Sequence, residues 1–216
     1  MIRILKSILA ELTASAIVLF ARFITAVRGL WLGTEPRDQQ RIYYANHSSH
    51  GDFVLLWTVL PPRLRKQTRP VAGADYWLQS SFKKFIGCDV FRSVLIDRKV
   101  QHAREAPVEQ MSSALDSGDS LILFPEGTRN MTDQRLLPFK SGLFHLATAR
   151  PAIDLVPVWI DNLNRVLPKG EVIPLPLICT VTFGGELHLQ ADESKSEFLA
   201  RAEAALLALS PEGVSA

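Results

Sequence analysis

Residues 41–60 read RIYYA, NHSSHGD and FVLLWTVL in succession, an apolar run followed by a polar loop and a second apolar run. The first run is short and contains Ile and Tyr, a composition typical of a buried strand. The second run, Phe53 to Leu60, follows the polar loop and is predicted to be helical. The stretch therefore predicts a strand, a loop and a helix, which is the repeating unit of a parallel α/β sheet.

The same alternation continues through the rest of the chain. The predicted strands are 41–45, 70–73, 94–97, 120–124, 155–160 and 177–183, and the predicted helices lie near 50–60, 76–86, 100–117, 140–149 and 194–209. This order predicts an α/β fold in which a mostly parallel sheet is flanked by helices. Ligand sites in such sheets lie beyond the carboxyl ends of the strands.

Composition excludes several classes of protein. The chain has 216 residues, of which 47% are hydrophobic and 21% charged, and this excludes a disordered, collagenous or disulfide-scaffold protein. The formal net charge of +2 is too balanced for a nucleic-acid binder, so no nucleic-acid partner is expected. Cys88 and Cys179 lie far apart and form no metal-binding spacing, which indicates buried thiols in a reducing compartment.

The N-terminal segment combines an apolar helical stripe with basic residues. Large apolar residues recur every three or four positions from Ile2 to Leu30, which predicts an amphipathic helix. Its basic residues are Arg3, Lys6, Arg22 and Arg28. We divide the chain into this segment, residues 1–33, and an α/β domain, residues 34–216.

The predicted helix has several possible environments. Its longest charge-free run, Leu12 to Ala21, is shorter than the roughly 18–20 residues that cross a bilayer, so a membrane span is not expected. Glu11 and the continued periodicity argue against a secretory signal peptide. The pattern leaves two alternatives open, a helix in the headgroup plane of a membrane and a helix packed on its own domain.

The loop after the first predicted strand places a histidine and an aspartate close together. His47 precedes Asp52 by five positions, and Asp52 falls in the first turn of the following helix. A carboxylate there can orient an imidazole that acts as a general base. Two other interpretations remain: a capping box formed by Ser49 and Asp52, and a metal site formed by His47, His50 and Asp52.

A second polar loop follows the predicted strand 120–124. It contains Glu126, Gly127, Thr128 and Arg129, and a guanidinium beside exposed backbone N–H groups suits an anionic ligand. Arg98 ends another predicted strand and can reach the same crevice. The alternative is that these residues form a polar turn and a solvated surface.

Four ordered blocks together resemble the glycerolipid acyltransferase family, whose best-known members are 1-acyl-glycerol-3-phosphate acyltransferases. The blocks are Asn46-His47 with Asp52, Ile96-Asp97-Arg98, Phe124-Pro125-Glu126-Gly127-Thr128-Arg129, and Val156-Pro157-Val158. The resemblance covers residues 40–190. The first and third blocks form a specific pair, whereas the second block is the loosest match.

The resemblance implies roles for these residues. His47 corresponds to the family's general base and Asp52 to its orienting carboxylate. Glu126, Gly127, Thr128 and Arg129 correspond to the residues that bind the glycerol-phosphate part of the acceptor, together with Arg98. No metal and no cofactor are expected, because the acyl group comes from a co-substrate, acyl-CoA or acyl-ACP.

The implied activity is transfer of a fatty acyl chain to the free hydroxyl of a lysophospholipid, with 1-acyl-glycerol-3-phosphate as acceptor and phosphatidic acid as product. The expected partners are the lysophospholipid, the thioester donor and a membrane surface. The expected location is peripheral or monotopic, on the cytoplasmic face of the inner membrane. The alternatives are a hydrolase that cleaves lipid esters or thioesters, with or without a metal, and a non-catalytic phospholipid-binding module.

Overall fold

The structure is a computed structural model that describes residues 2–97, 106–161 and 178–211. Within these ranges the chain forms seven strands, eight α-helices and one π-helical turn. The strands are β1 (Arg28–Trp31), β2 (Arg41–Ala45), β3 (Thr68–Gly73), β4 (Val94–Ile96), β5 (Ser120–Leu123), β6 (Asp154–Asp161) and β7 (Thr180–Phe183). The helices are α1 (Ile2–Thr25), α2 (Asp52–Val59), α3 (Pro62–Gln67), α4 (Ala74–Trp77), α5 (Ser81–Lys84), α6 (Ala106–Asp116), α7 (Gly142–Ala149) and α8 (Lys195–Leu207), with the π-helical turn at Phe85–Val90.

The seven strands form one mixed sheet in the order β1-β7-β6-β2-β5-β3-β4. Every neighbouring pair is parallel except β6 and β7, which are antiparallel. The predicted fold class, a mostly parallel sheet flanked by helices, is confirmed. Because β2, β3, β4 and β5 all run in one direction, the loops that follow them emerge at the same edge of the sheet.

Helices cover both faces of the central strands, which is why these strands are continuous apolar runs. Ile42 and Tyr44 of β2 face the core beneath α6, α7 and α8, and the Tyr44 hydroxyl donates to the carbonyl of Ala202 on α8 at 3.2 Å. Tyr43 and Ala45 face the opposite core, which contains residues of α2 and is covered by α1 and the π-helical turn. The protein therefore has three layers, and α1 belongs to one outer layer.

The prediction that one helix continues to Leu30 is wrong. Helix α1 ends at Thr25, Ala26 adopts a φ of +43°, and Arg28–Trp31 forms an edge strand parallel to β7. The apolar spacing that suggested a helix is equally compatible with a short strand. Hydrogen bonding to the backbone of β7 favours the strand. The predicted domain boundary at residue 33 consequently places β1 in the helical segment, although β1 is part of the sheet.

Two further helical regions differ from the predictions. The predicted helix at 76–86 is divided into α4, α5 and the π-helical turn, and α3 was not predicted. Helix α6 begins at Ala106 with Pro107 in its first turn, as expected for proline at a helix start. The first part of the predicted helix 100–117 and of the predicted strand 177–183 lies outside the described residues.

Helix α1 turns two alanines inward and most of its large apolar residues outward. Ala10 and Ala21 are buried against the domain, whereas Leu5, Leu12 and Phe23 are between 63% and 87% exposed. The predicted stripe therefore faces away from the protein, as expected of a helix in a membrane interface. By length and composition, Arg3–Thr25 would also suffice to cross a membrane, a test that signal sequences and soluble core helices pass as well.

The packing of β1 predicts different effects for two adjacent substitutions. Trp31 stacks on Phe183 of β7 with ring centroids 3.8 Å apart, whereas the Leu32 side chain is 70% exposed. We expect Trp31→Ala to lower the free energy of unfolding by about 1–3 kcal/mol, since it removes the stacked pair and its buried area. Leu32→Ala is the matched control and is expected to change it by less than about 0.5 kcal/mol. Equal effects in urea denaturation would show that β1 does not contribute to the sheet.

Candidate active site

The carboxyl ends of the parallel strands β2, β3, β4 and β5 surround a cavity of about 900 Å³. His47 follows β2, the loop from Phe124 to Arg129 follows β5, and Tyr76 follows β3; all of them line the cavity. Its lining is largely apolar and includes Val71, Ile96, Met111 and Leu123. The two polar loops predicted to converge therefore meet at one opening beside an apolar interior.

The His47 ring is held by the carboxylate of Asp52. His47 Nδ1 lies 2.9 Å from Asp52 Oδ2, and the same oxygen accepts hydrogen bonds from the backbone N–H groups of Ser48 (2.7 Å) and Ser49 (2.8 Å). Asp52 is fully buried and is the first residue of α2. Its position fixes Nδ1 as the proton-bearing nitrogen and leaves Nε2 as the ring nitrogen available to the cavity.

The two other interpretations of this loop fit the geometry less well. The N-cap of α2 is Gly51 rather than Ser49, and no side chain caps it. The Ser49 backbone N–H does donate to Asp52, but the same carboxylate oxygen also binds the His47 imidazole. Asp52 therefore does more than cap the helix. Among the residues that the structure describes, no group of His, Cys, Asp and Glu has an arrangement that would hold a metal ion.

The backbone around His47 is fixed by hydrogen bonds to two neighbouring strands and loops. The Asn46 side chain bonds to both the carbonyl (2.9 Å) and the N–H (2.7 Å) of Ile160 in β6. The His47 carbonyl accepts from the N–H of Asn130 at 2.6 Å, and its ring stacks on Phe124 with centroids 4.2 Å apart. The imidazole is therefore positioned by its own backbone as well as by Asp52.

Glu126 contacts backbone groups where we had expected a contact with the substrate. One carboxylate oxygen accepts from the His47 N–H at 2.7 Å and the other from the Leu137 N–H at 2.9 Å. The residue is 2% exposed, and burial raises the pKa of its carboxyl group. Both carboxylate oxygens therefore hold backbone groups of the surrounding loops, and the expected contact of Glu126 with the acceptor stays a prediction.

The remaining residues of this loop that are predicted to bind the acceptor border the cavity. Gly127, Thr128 and Arg129 line the cavity. Gly127 has a φ of +70°, which strains any other residue, and a Cβ atom there would lie 2.7 Å from Cδ of Lys140 and displace the end of that flexible side chain. The predicted binding residue Arg98 lies outside the described residues.

Two further polar residues line the cavity, Lys140 and His50, and the sequence indicated His50 only as a ligand of the alternative metal site. Lys140 lies beside Gly127, although its only sequence signal was a position at the start of a predicted helix. His50 stacks on Tyr76 with centroids 5.6 Å apart. Its pKa is lowered by burial and, to a smaller extent, by the charge of Arg129. The cationic side chains of Arg129 and Lys140 thus line the same cavity as His47 and His50.

Comparison with known proteins identifies relatives of this chain. The family model described as Acyltransferase matches residues 33–161. A 1-acyl-sn-glycerol-3-phosphate acyltransferase of Cocos nucifera is 32% identical over 153 residues, 70% of this chain and 47% of the relative. One of the same name from Haemophilus influenzae is 28% identical over 155 residues, 64% of this chain and 58% of the relative. The chain thus spans about half the length of these curated relatives.

A solved structure has the same fold. The crystal structure of the 1-acyl-sn-glycerophosphate (LPA) acyltransferase PlsC from Thermotoga maritima superposes with a TM-score of 0.65 at 23% sequence identity. The match covers 92% of this chain and 79% of the other. At this level of identity the comparison establishes the fold.

The position of Glu126 predicts a structural defect when its charge is removed. A glutamine can accept a hydrogen bond from one backbone N–H but presents an NH₂ group to the other. We expect Glu126→Gln to lower the free energy of unfolding by about 1–3 kcal/mol and to accelerate hydrogen exchange at the His47 or Leu137 amide. The control is Glu109→Gln on the exposed face of α6. Unchanged exchange at both amides would contradict the positioning role.

Proposed function

The chain belongs to the Acyltransferase family, and we propose that it transfers a fatty acyl chain from a thioester to the free hydroxyl of 1-acyl-glycerol-3-phosphate, giving phosphatidic acid. The family match includes both His47 and the 124–129 loop. The observation that carries the proposal is that the His47–Asp52 pair and Arg129 face one cavity with an apolar interior. The names of the curated relatives support the choice of acceptor.

In the proposed reaction, His47 is the general base. Its Nε2 takes the proton of the acceptor hydroxyl while the oxygen attacks the carbonyl carbon of the thioester. The C–S bond then breaks, and the imidazolium returns the proton to the departing thiolate. Asp52 stabilises the imidazolium and holds the reactive tautomer, which the 2.9 Å contact with Nδ1 supports. No covalent acyl-enzyme is required.

The phosphate of the acceptor is assigned to the basic side of the cavity. Arg129 can form paired hydrogen bonds to phosphate oxygens, and Lys140 supplies a second cation beside Gly127. Thr128 and the backbone of Gly127 border the same space. Fixing the phosphate here would hold the glycerol hydroxyl at a constant distance from His47, which is the main contribution that positioning makes to the rate.

We assign the acyl chain to the apolar wall of the cavity and the protein to a membrane surface. The outward stripe of α1 supports peripheral or monotopic attachment, because its exposed Leu and Phe side chains would otherwise face water. We place the enzyme on the cytoplasmic face, where both candidate donors, acyl-CoA and acyl-ACP, are available.

The proposed mechanism predicts the effect of removing the imidazole. We expect His47→Ala to lower acyl transfer by about 10²- to 10⁴-fold in a protein that remains folded, because the general base is lost. The matched control is His145→Ala on the exposed surface of α7, which is expected to retain wild-type activity. Activity is measured with purified protein, a lysophosphatidate acceptor and either thioester. Wild-type turnover by His47→Ala would disprove the mechanism, and thioester cleavage without acceptor would indicate a hydrolase.

The assignment of Arg129 predicts an effect on the acceptor alone. We expect Arg129→Ala to raise the acceptor KM by about 10- to 100-fold, since charge-assisted hydrogen bonds contribute about 1.5–3 kcal/mol, and to leave the donor KM unchanged. Arg63→Ala is the control, because Arg63 is a largely exposed arginine that pairs with Asp38 on the surface. An unaltered acceptor KM in Arg129→Ala would remove this residue from the phosphate site.

A further inference from the structure

A second apolar surface lies beside the mouth of the cavity. Within residues 76–84, which we call the rim segment, the side chains of Leu78 and Phe82 are 53% and 73% exposed, and Tyr76 is 41% exposed. Large apolar side chains that are exposed together in so short a segment usually mark a surface that contacts another protein or a membrane. The rim segment comprises α4 from Tyr76 onward, α5 and the turn between them.

The exposure of these side chains is fixed by the fold. Trp77 points inward and packs so closely on Gly87 that a Cβ there would lie 2.8 Å from the indole ring. The same indole contacts Phe53 and Phe91 edge to face. The Ser80 hydroxyl accepts from the N–H of Lys83 at the start of α5. With Trp77 anchored in the core, the adjacent Leu78 is held toward solvent.

The rim segment and α1 lie on the same side of the protein and border the same opening. Tyr76, Trp77 and Gln79 line the cavity from one side, and Ile17 of α1 lines it from another. The π-helical turn packs against both α1 and α5, which joins the two elements into one outer layer. Leu78 and Phe82 do not line the cavity, so their apolar side chains are exposed outside it.

The charge of the rim segment matches an anionic lipid surface. Its sequence, YWLQSSFKK, contains two lysines and no acidic residue. Lys83 Nζ lies 4.1 Å from the centre of the Tyr76 ring and donates to Gln79 Oε1 at 2.7 Å, so its apolar stem lies along the segment. Aromatic and aliphatic side chains combined with lysines are characteristic of segments at the membrane interface, where lysine reaches the headgroups.

We propose that the rim segment is a second membrane contact, which acts with α1 to seat the mouth of the cavity on an anionic bilayer. Leu78 and Phe82 enter the acyl boundary, and Lys83 and Lys84 contact the phosphates of anionic lipids. Given the proposed acyl-transfer function, this arrangement admits the acceptor directly from the leaflet. The membrane contact itself can be measured without any catalytic activity.

The binding test uses the full chain and vesicles of phosphatidylcholine containing phosphatidylglycerol. We expect the double variant Leu78→Ser with Phe82→Ser to bind these vesicles about tenfold more weakly in flotation, since two partly buried apolar side chains are lost from the contact. The control is Leu207→Ser, an exposed leucine on α8 across the sheet from α1, which is expected to bind normally. Unchanged flotation of the double variant would overturn the proposal.

A second variant tests the electrostatic part of the contact. We expect Lys83→Gln with Lys84→Gln to weaken binding to anionic vesicles by about 30-fold, at about 1 kcal/mol per basic residue, and to reduce its salt dependence. Binding to vesicles of phosphatidylcholine alone should not change. A wild-type salt dependence in this variant would contradict the contact of these lysines with lipid phosphates.

Activity measurements show which of two partners contacts the rim segment, the membrane or the acidic acyl-carrier protein. With a short-chain acceptor dissolved in water, the Leu78, Phe82 double variant should retain the wild-type kcat and donor KM, whereas its apparent KM for a vesicle-borne acceptor should rise. A raised KM for acyl-ACP with the soluble acceptor and normal flotation would assign the surface to the carrier protein and refute our proposal. Absence of transfer by the wild type would refute the proposed function and leave the flotation result interpretable.

Discussion

The buried carboxylate of Glu126 links the two loops on which the site depends. It receives one backbone N–H from the loop after β2 and one from the segment beyond the loop after β5. A buried carboxylate is costly, as its raised pKa indicates, and hydrogen bonds to fixed N–H groups compensate for part of that cost. Because β2 and β5 are adjacent, this side chain, together with the hydrogen bond from the Asn130 N–H to the His47 carbonyl, holds His47 close to the residues that follow Gly127. The chemistry proposed for the cavity requires the distance between them to be constant.

The parallel arrangement explains why charge collects at this edge. Strands that run together release their loops on one side, and two of these loops bring His47 and Arg129 to the cavity. The nearby guanidinium adds to the effect of burial in lowering the pKa of His50, so the second imidazole of the loop tends to stay neutral. A cavity lined by Arg129 and Lys140 favours an anionic ligand, and His47 is the histidine of this loop that pairs with a carboxylate.

The sequence predicted β2, β5, α2, α7 and α8 to within about two residues, because their local patterns agree with their tertiary surroundings. The His47–Asp52 contact was also predictable, since it spans a single loop. Strand β1 was not, because its partner β7 lies about 150 residues away. The structural role of Glu126 was not predictable for a similar reason. Its burial follows from the adjacency of β2 and β5, which no local pattern contains. Lys140 is near Gly127 only through the folding of the intervening loop.

The orientation of α1 is informative because it reverses the usual rule for surface helices. Alanines face the domain and allow close packing, while leucine and phenylalanine side chains face outward, where water would make them unfavourable. The lipid acceptor proposed for this enzyme has the same requirement. Moving an acyl chain of a dozen carbons from a bilayer into water costs about 10 kcal/mol at about 0.8 kcal/mol per methylene group. If the mouth of the cavity lies against the leaflet, the chain passes from lipid to the apolar wall without that exposure. The hydrophobic effect then accounts for both the outward stripe of α1 and the position of the opening beside it.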